Sequence, residues 1–261
     1  MYEEASLKRR PFLFGANLTI IDSKVLFLAV QKYVLFIDTE TSGLPKNWKL
    51  PYTDDANWPS AVQVSWVIYD ENRQEVKRED HYISNNDFVI DKQAYKIHGL
   101  SPEFLSQHGD SRKQVMGLLY RDLEKYQPLV VGHFVELDYH ITGVDFFRVE
   151  MEQPMNKLPM FCTMLSTQNM VRNPQMHYLK LGELYELLFK KQLGRQHNAM
   201  ADALATAECF FELQRIEAID DEKIAKQQIE RERIQKPVLK GGCGVPVFVF
   251  LIVMALIIYW L

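Results

Sequence analysis

An α/β fold, a mixed β-sheet flanked by helices, is the class this chain predicts, and three observations predict it. Three strand-length segments, the first two apolar, come early and are followed by a capped helical stretch. A fourth short apolar run comes next, and the segments after it read as helices. The composition is that of an ordinary globular protein: 261 residues, 47% hydrophobic and 25% charged, enough for one or two domains.

The elements follow in order. Tyr33 to Asp38 is an apolar run that reads as a buried strand. Ala61 to Tyr69 alternates through Val62, Val64, Trp66 and Ile68 and reads as a second strand; a third covers Glu75 to Ile83. Ser111 is a good N-cap for a helix ending at Tyr126, which leads to the fourth strand at Leu129. Gly132 breaks that strand, and helices are expected over 136–151, 180–189 and 199–216, the last of them rich in alanine.

Acidic residues punctuate this pattern at three places. Asp38 and Glu40 end the first strand, where residues i and i+2 share a face. Two adjacent carboxylates repel each other and form half of a cage for a hard divalent cation. Asp138 falls in the first turn of the helix after Gly132. Asp202 lies one turn into the alanine-rich helix, with His197 in the loop entering it. Five residues rotate about 500° on a helix, so the two share no face if both are helical. Each segment taken singly also has a plain structural reading. The first is a turn through Thr41, Ser42 and Gly43, the second an acid favoured by the helix dipole, the third a surface acid.

Together the three segments resemble the exonuclease motifs of the DnaQ-like, DEDD superfamily in its histidine subtype. The likeness runs from about Tyr33 to Leu213. Phe36-Ile37-Asp38-Thr39-Glu40-Thr41-Ser42-Gly43-Leu44 matches motif one, Asp138 motif two, and His197 with Asp202 the H-x4-D of motif three. Ile97-His98-Gly99-Leu100-Ser101 is similar to a His-Gly segment of these enzymes. The resemblance implies a ribonuclease H-like fold and 3′-to-5′ exonuclease activity on single-stranded DNA or RNA 3′ ends. It implies two Mg²⁺ or Mn²⁺ ions on Asp38, Glu40, Asp138 and Asp202, with His197 as general base. Thr39, Gly43, Leu44 and His98 are the implied substrate contacts. The chain departs from the pattern at His133-Phe134, where many relatives carry His-Asn, which leaves substrate grip open.

The chemistry agrees with the residue types. Two divalent ions about 4 Å apart stabilise both oxygens of an in-line displacement at phosphorus, and a free imidazole titrates near neutrality, as a general base should. The net charge of −4 argues against broad non-specific duplex binding and is compatible with a site whose positive charge is metallic. The loop 46–60 holds Trp48, Tyr52 and Trp58 beside Lys46 and Lys49. Such rings either stack unpaired bases or pin the loop by packing, and packing is the favoured expectation. A binding module without catalysis is the competing functional class. Cys162 and Cys209 have no metal or disulfide spacing and read as reduced core thiols.

The C-terminus carries a second signal. Val245 to Leu261 holds no charge and ends in Tyr259, Trp260 and Leu261. As a helix it spans roughly 26 Å, close to a hydrocarbon core of about 30 Å. Lys223, Lys226, Arg231, Arg233, Lys236 and Lys240 precede it and favour a cytoplasmic catalytic domain. Cys243, among glycines, is a candidate acylation site. The expected organisation is an extension over 1–31 without signal-peptide layout, an exonuclease domain over 32–218, a charged and exposed helical linker over 219–244, and a transmembrane anchor over 245–261. Polymerases and repair machinery are the partner classes of such an enzyme. A membrane tether favours repair, degradation or turnover over proofreading.

Overall fold

The computed structural model describes residues 31–171, 177–194 and 196–235, together with Ile21. Two compact units result, Met1–Gln228 and Ile229–Leu261, and the sheet belongs to the first. Its five strands are β1 (Tyr33–Thr41), β2 (Ala61–Asp70), β3 (Glu75–Tyr82), β4 (Leu129–Gly132) and β5 (Met160–Cys162), in the order β3-β2-β1-β4-β5. β1 pairs antiparallel with β2, and β2 with β3; β4 lies parallel to β1, and β5 to β4. The expected mixed sheet is therefore present.

The helices are α1 (Lys92–His98), α2 (Pro102–His108), α3 (Arg112–Tyr126), α4 (Val135–Arg148), α5 (Leu181–Phe189), α6 (Ala199–Arg215) and α7 (Asp221–Gln235). Strand alternation divides the core into two layers. Leu35 and Ile37 of β1 join Trp66, Ile141, Phe146 and the apolar stripe of α3 on one face. Phe36 points the other way, into a layer with Val131, Phe161, Leu184 and Phe210. The two β1 carboxylates have the parity of Phe36, so they face α6. Thr39 has the parity of Ile37, so it faces α4.

α1 and α2 are short helices announced by their caps. Asp91 accepts from the Gln93 N–H, and Gly99, at φ 71°, closes α1 with its N–H bonded to Tyr95 O. Ser101 accepts from the Phe104 N–H, with Pro102 in the first turn of α2. Cys162 and Cys209 are buried and unlinked.

The helix expected in the linker exists as α7, but its beginning is not a solvated face. Ile224 and Ala225 are buried in the second core layer. Gln227 bonds the edge strand β5 in both directions. It accepts from the Cys162 N–H at 3.0 Å and donates to the Cys162 carbonyl at 3.1 Å. Gln228 donates to the Met160 carbonyl. Cys243 and the apolar segment 245–261 lie outside the described residues, and no described helix is long and apolar enough to cross a membrane.

Candidate active site

β1 and β4 run parallel with Phe36 opposite Val131, so their carboxyl ends open on the same edge of the sheet. Asp38 and Glu40 reach that edge from β1. A bulge between Glu40 and Thr41 re-aims the chain there. Asp138 arrives from the first turn of α4. The Thr39 hydroxyl donates to Asp138 Oδ1 at 2.8 Å across the edge. Gly132 makes the approach close. A Cβ on it would stand 3.0 Å from Asp138 Oδ2 and 3.0 Å from Val135 Cα, so any larger residue would force the helix start outward.

The third segment comes from α6. Asn198 is the N-cap and accepts from the Ala201 N–H, which leaves His197 outside the helix at φ 65° and exposed. Its backbone N–H donates to Asp202 Oδ2 at 3.0 Å. The other oxygen, Asp202 Oδ1, is buried with no hydrogen-bond partner, the condition of a ligand oxygen rather than of a structural carboxylate. Ligand atoms of Glu40, His197 and Asp202 lie within 4.8 Å of one another, so one divalent ion could touch all three.

The electrostatics describe one shared site. Burial, and then the charges of Asp138, Asp202 and Glu40, hold the Asp38 carboxyl well above the usual carboxylate range. Glu40 is pushed up to about 8 by burial, Asp202 and Asp138. Asp138 rises to about 7 through burial, which outweighs the hydrogen bonds from Thr39. Burial also raises Asp202, against the pull of the His197 N–H and ring. Among the described residues no lysine or arginine forms a salt bridge with any of the four. A compact set of mutually repelling carboxylates suits a divalent cation, as the exonuclease resemblance implies.

The implied substrate contacts are placed as follows. Leu44 is 71% exposed at the cleft rim, beyond a turn pinned by Thr41 Oγ1 donating to Gly43 O at 2.6 Å and the Ser42 N–H donating to Ser60 O at 2.8 Å. A Cβ on Gly43 would meet only ordinary contacts, so the turn does not demand glycine there. The Thr39 side chain is committed to Asp138. His98 ends α1, and its Nδ1 accepts from the Leu100 N–H at 3.0 Å. Burial lowers its pKa, against a hydrogen bond with the Thr41 backbone, and the charge of His197 adds a smaller push in the same downward direction.

Packing is what most of the aromatic loop does. Trp58 is buried, stacks on His140 at 5.2 Å and donates to Leu50 O and Pro51 O. The Tyr52 hydroxyl meets His140 Nδ1 at 2.9 Å, and Lys46 Nζ donates to Ala56 O at 2.8 Å. Trp48 alone of the three tryptophan and tyrosine rings stays exposed. At the motif-two departure, half-buried His133 lies between Thr163 Oγ1 and Leu179 O, each at 3.0 Å, and desolvation lowers its pKa to about 4. Phe134 starts α4 in the left-handed region, φ 79° and ψ 44°, with no side-chain cap bond. A left-handed backbone costs a side chain roughly 1–2 kcal/mol.

Gln63 is a residue that motif spacing does not reveal. It is fully buried on β2, opposite Glu40. Its Oε1 accepts from the Ala199 N–H at 3.2 Å and from Asn198 Nδ2 at 3.4 Å, while its Nε2 donates to Asp80 at 2.8 Å. It thereby fastens the start of α6, and with it His197 and Asp202, to the sheet. A polar residue inside the alternation Val62-Gln63-Val64 is the signal that could have exposed it.

Comparisons with known proteins bear on the fold and the family. The structure of E. coli exonuclease I in complex with a dT13 oligonucleotide matches with a TM-score of 0.57 at 18% identity, over 70% of this chain and 41% of that one. A further exonuclease I structure, described as suggesting how processivity is achieved, matches with a TM-score of 0.59 at 16% identity, over 77% and 44%. A zinc-bound form of that enzyme's single-stranded DNA complex matches with a TM-score of 0.55 at 18% identity, over 71% and 41%. Likeness at this identity is one of fold, and the chain spans less than half the length of these enzymes. A search of curated proteins found no match. The RNase_T exonuclease family model matches residues 35–210, from β1 through motif three. The chain belongs to that exonuclease family.

Proposed function

We propose that this protein is a metal-dependent 3′-to-5′ exonuclease that removes nucleotides from single-stranded ends, and that Val245–Leu261 holds it at a membrane with its catalytic domain in the cytoplasm. The observation that carries the catalytic reading is the grouping of Glu40, His197 and Asp202, with a buried and unpartnered oxygen on Asp202 and with Asp38 and Asp138 near enough to share its charge repulsion. Polarity follows from the motif resemblance. Single strands as substrate follow from the oligonucleotide complexes of the structural neighbours.

Asp38, Glu40, Asp138 and Asp202 would hold Mg²⁺ or Mn²⁺. When bound, the ions supply charge neutralisation at the attacking and leaving oxygens. The protein's own residues do the rest. Thr39 fixes Asp138, Asn198 and Gln63 fix the start of α6, and a ring nitrogen of exposed His197 takes the proton of the attacking water. Leu44 and His98 border the space where the terminal nucleotide would lie.

End-labelled DNA and RNA strands with Mg²⁺ test the reading. Shortening from the 3′ end that stops with EDTA supports it; metal-dependent binding without shortening would leave only a binding module. His197→Ala is expected to lower turnover by roughly 10²- to 10⁴-fold while metal-dependent strand binding persists. Parallel loss of both would remove His197 from the role of base. Fractionation of the full chain against one lacking 245–261 tests the tether.

A further inference from the structure

Trp48 and Phe134 are 38% and 37% exposed, with ring centroids 5.8 Å apart and planes tilted by 59°. They come from the segments that follow the carboxyl ends of the parallel neighbours β1 and β4, the edge that carries the carboxylates. Trp48 rests on a packed base, 6.3 Å from Trp58 and 5.6 Å from His140. Phe134 directly precedes the helix whose first turn holds Asp138. Its left-handed backbone would suit asparagine or glycine better. Local stability is thus given up at an exposed ring one turn ahead of Asp138, and such an outlier is a pointer to function. Lys49, next to Trp48, is exposed and available to a phosphate backbone.

We infer that Trp48 and Phe134 form a stacking platform for unpaired bases of the strand whose terminal phosphodiester lies at the carboxylates. The inference rests on the exonuclease reading and adds a determinant of strand grip. Aromatic faces accept any base, so the platform serves single strands without reading sequence. A paired strand has its bases already stacked on one another and cannot use it in the same way.

The test compares wild type, Phe134→Asn, Trp48→Ala and Phe134→Tyr, in the full chain with Mg²⁺, on two labelled strands. One is oligothymidylate; the other is abasic at every position except the 3′ nucleotide. Phe134→Asn and Trp48→Ala are expected to raise KM on oligothymidylate by about 10-fold or more, with kcat nearly unchanged. Phe134→Tyr should retain the wild-type KM. Phe134→Asn should keep or raise the melting temperature. On the abasic strand all four proteins should share one KM. An unchanged KM for Phe134→Asn on oligothymidylate, or an equal rise on both strands, overturns the platform. If wild type shortens neither strand, the exonuclease reading falls. The platform is then judged by the same four-way comparison of oligonucleotide affinity by fluorescence anisotropy, with the same outcomes deciding.

Discussion

A lone buried carboxylate and a set of four sit close to the carboxyl end of β1, and they solve the same electrostatic problem in opposite ways. Asp145, on α4, is fully buried between Arg112 at 2.9 Å and Arg148 at 3.1 Å and also accepts from the Ala61 N–H. Burial raises its pKa, and the two guanidinium groups offset part of that rise. Arg148 also donates to Trp58 O, Pro59 O and Ser60 Oγ, tying the aromatic loop to α4. Among the described residues, Asp38, Glu40, Asp138 and Asp202 have no such cations. Buried negative charge with its counter-charge built in is architecture; buried negative charge without it is a place for something from outside.

The sharpest way to break this contrast is one substitution on each side of it. Asp38→Asn should lower strand shortening by about 10³-fold or more and raise the melting temperature in EDTA, because it removes a repelling charge. Asp145→Asn should act in the opposite sense on stability and cost about 3–5 kcal/mol in denaturant titration, because it leaves two guanidinium groups without their carboxylate. Destabilisation by Asp38→Asn in EDTA would make the set of four as structural as Asp145.

A pH series sharpens the contrast next. Glu40 and Asp138 titrate higher in the folded than in the unfolded protein, at about 8 and about 7. The folded state then holds more protons than the unfolded state between the ordinary carboxylate range and about pH 8. Stability in EDTA should therefore fall as pH rises through that window. Mg²⁺ should restore it, with a larger melting-temperature gain at pH 8 than at pH 5 and with proton release on binding. A metal-induced gain independent of pH would sink the assignment of the ions to these carboxylates. A smaller effect is expected from Gln63→Ala. It leaves the buried Ala199 N–H unsatisfied, at about 1–3 kcal/mol, and should lower kcat with little change in KM, since the helix start it holds carries His197 and Asp202.

Much of this was legible in the chain, for definable reasons. The strand and helix signals around the motifs are local and periodic, and spacing and resemblance singled out Asp38, Glu40, Asp138, His197 and Asp202, of which Glu40, His197 and Asp202 lie together. β5, at Met160–Cys162, is too short to show a period. α1 and α2 were readable in principle from Asp91, Gly99, Ser101 and Pro102, but not from apolar periodicity, since only Leu105 among their residues is buried. The role of Thr39 was hidden because its partner lies 99 residues away. The loop aromatics were split by tertiary context that no spacing encodes: Trp58 found His140, and Trp48 did not bury.

Gln227 and Gln228 give the far side of the sheet a guard. A bare outer strand is a template on which another molecule can pair, and here side-chain amides occupy the Met160 and Cys162 backbone groups before any neighbour can. Shortening the protein to residue 218 would strip that guard. Such a fragment should retain its strands yet self-associate in light scattering, whereas one ending after residue 235 should stay dispersed.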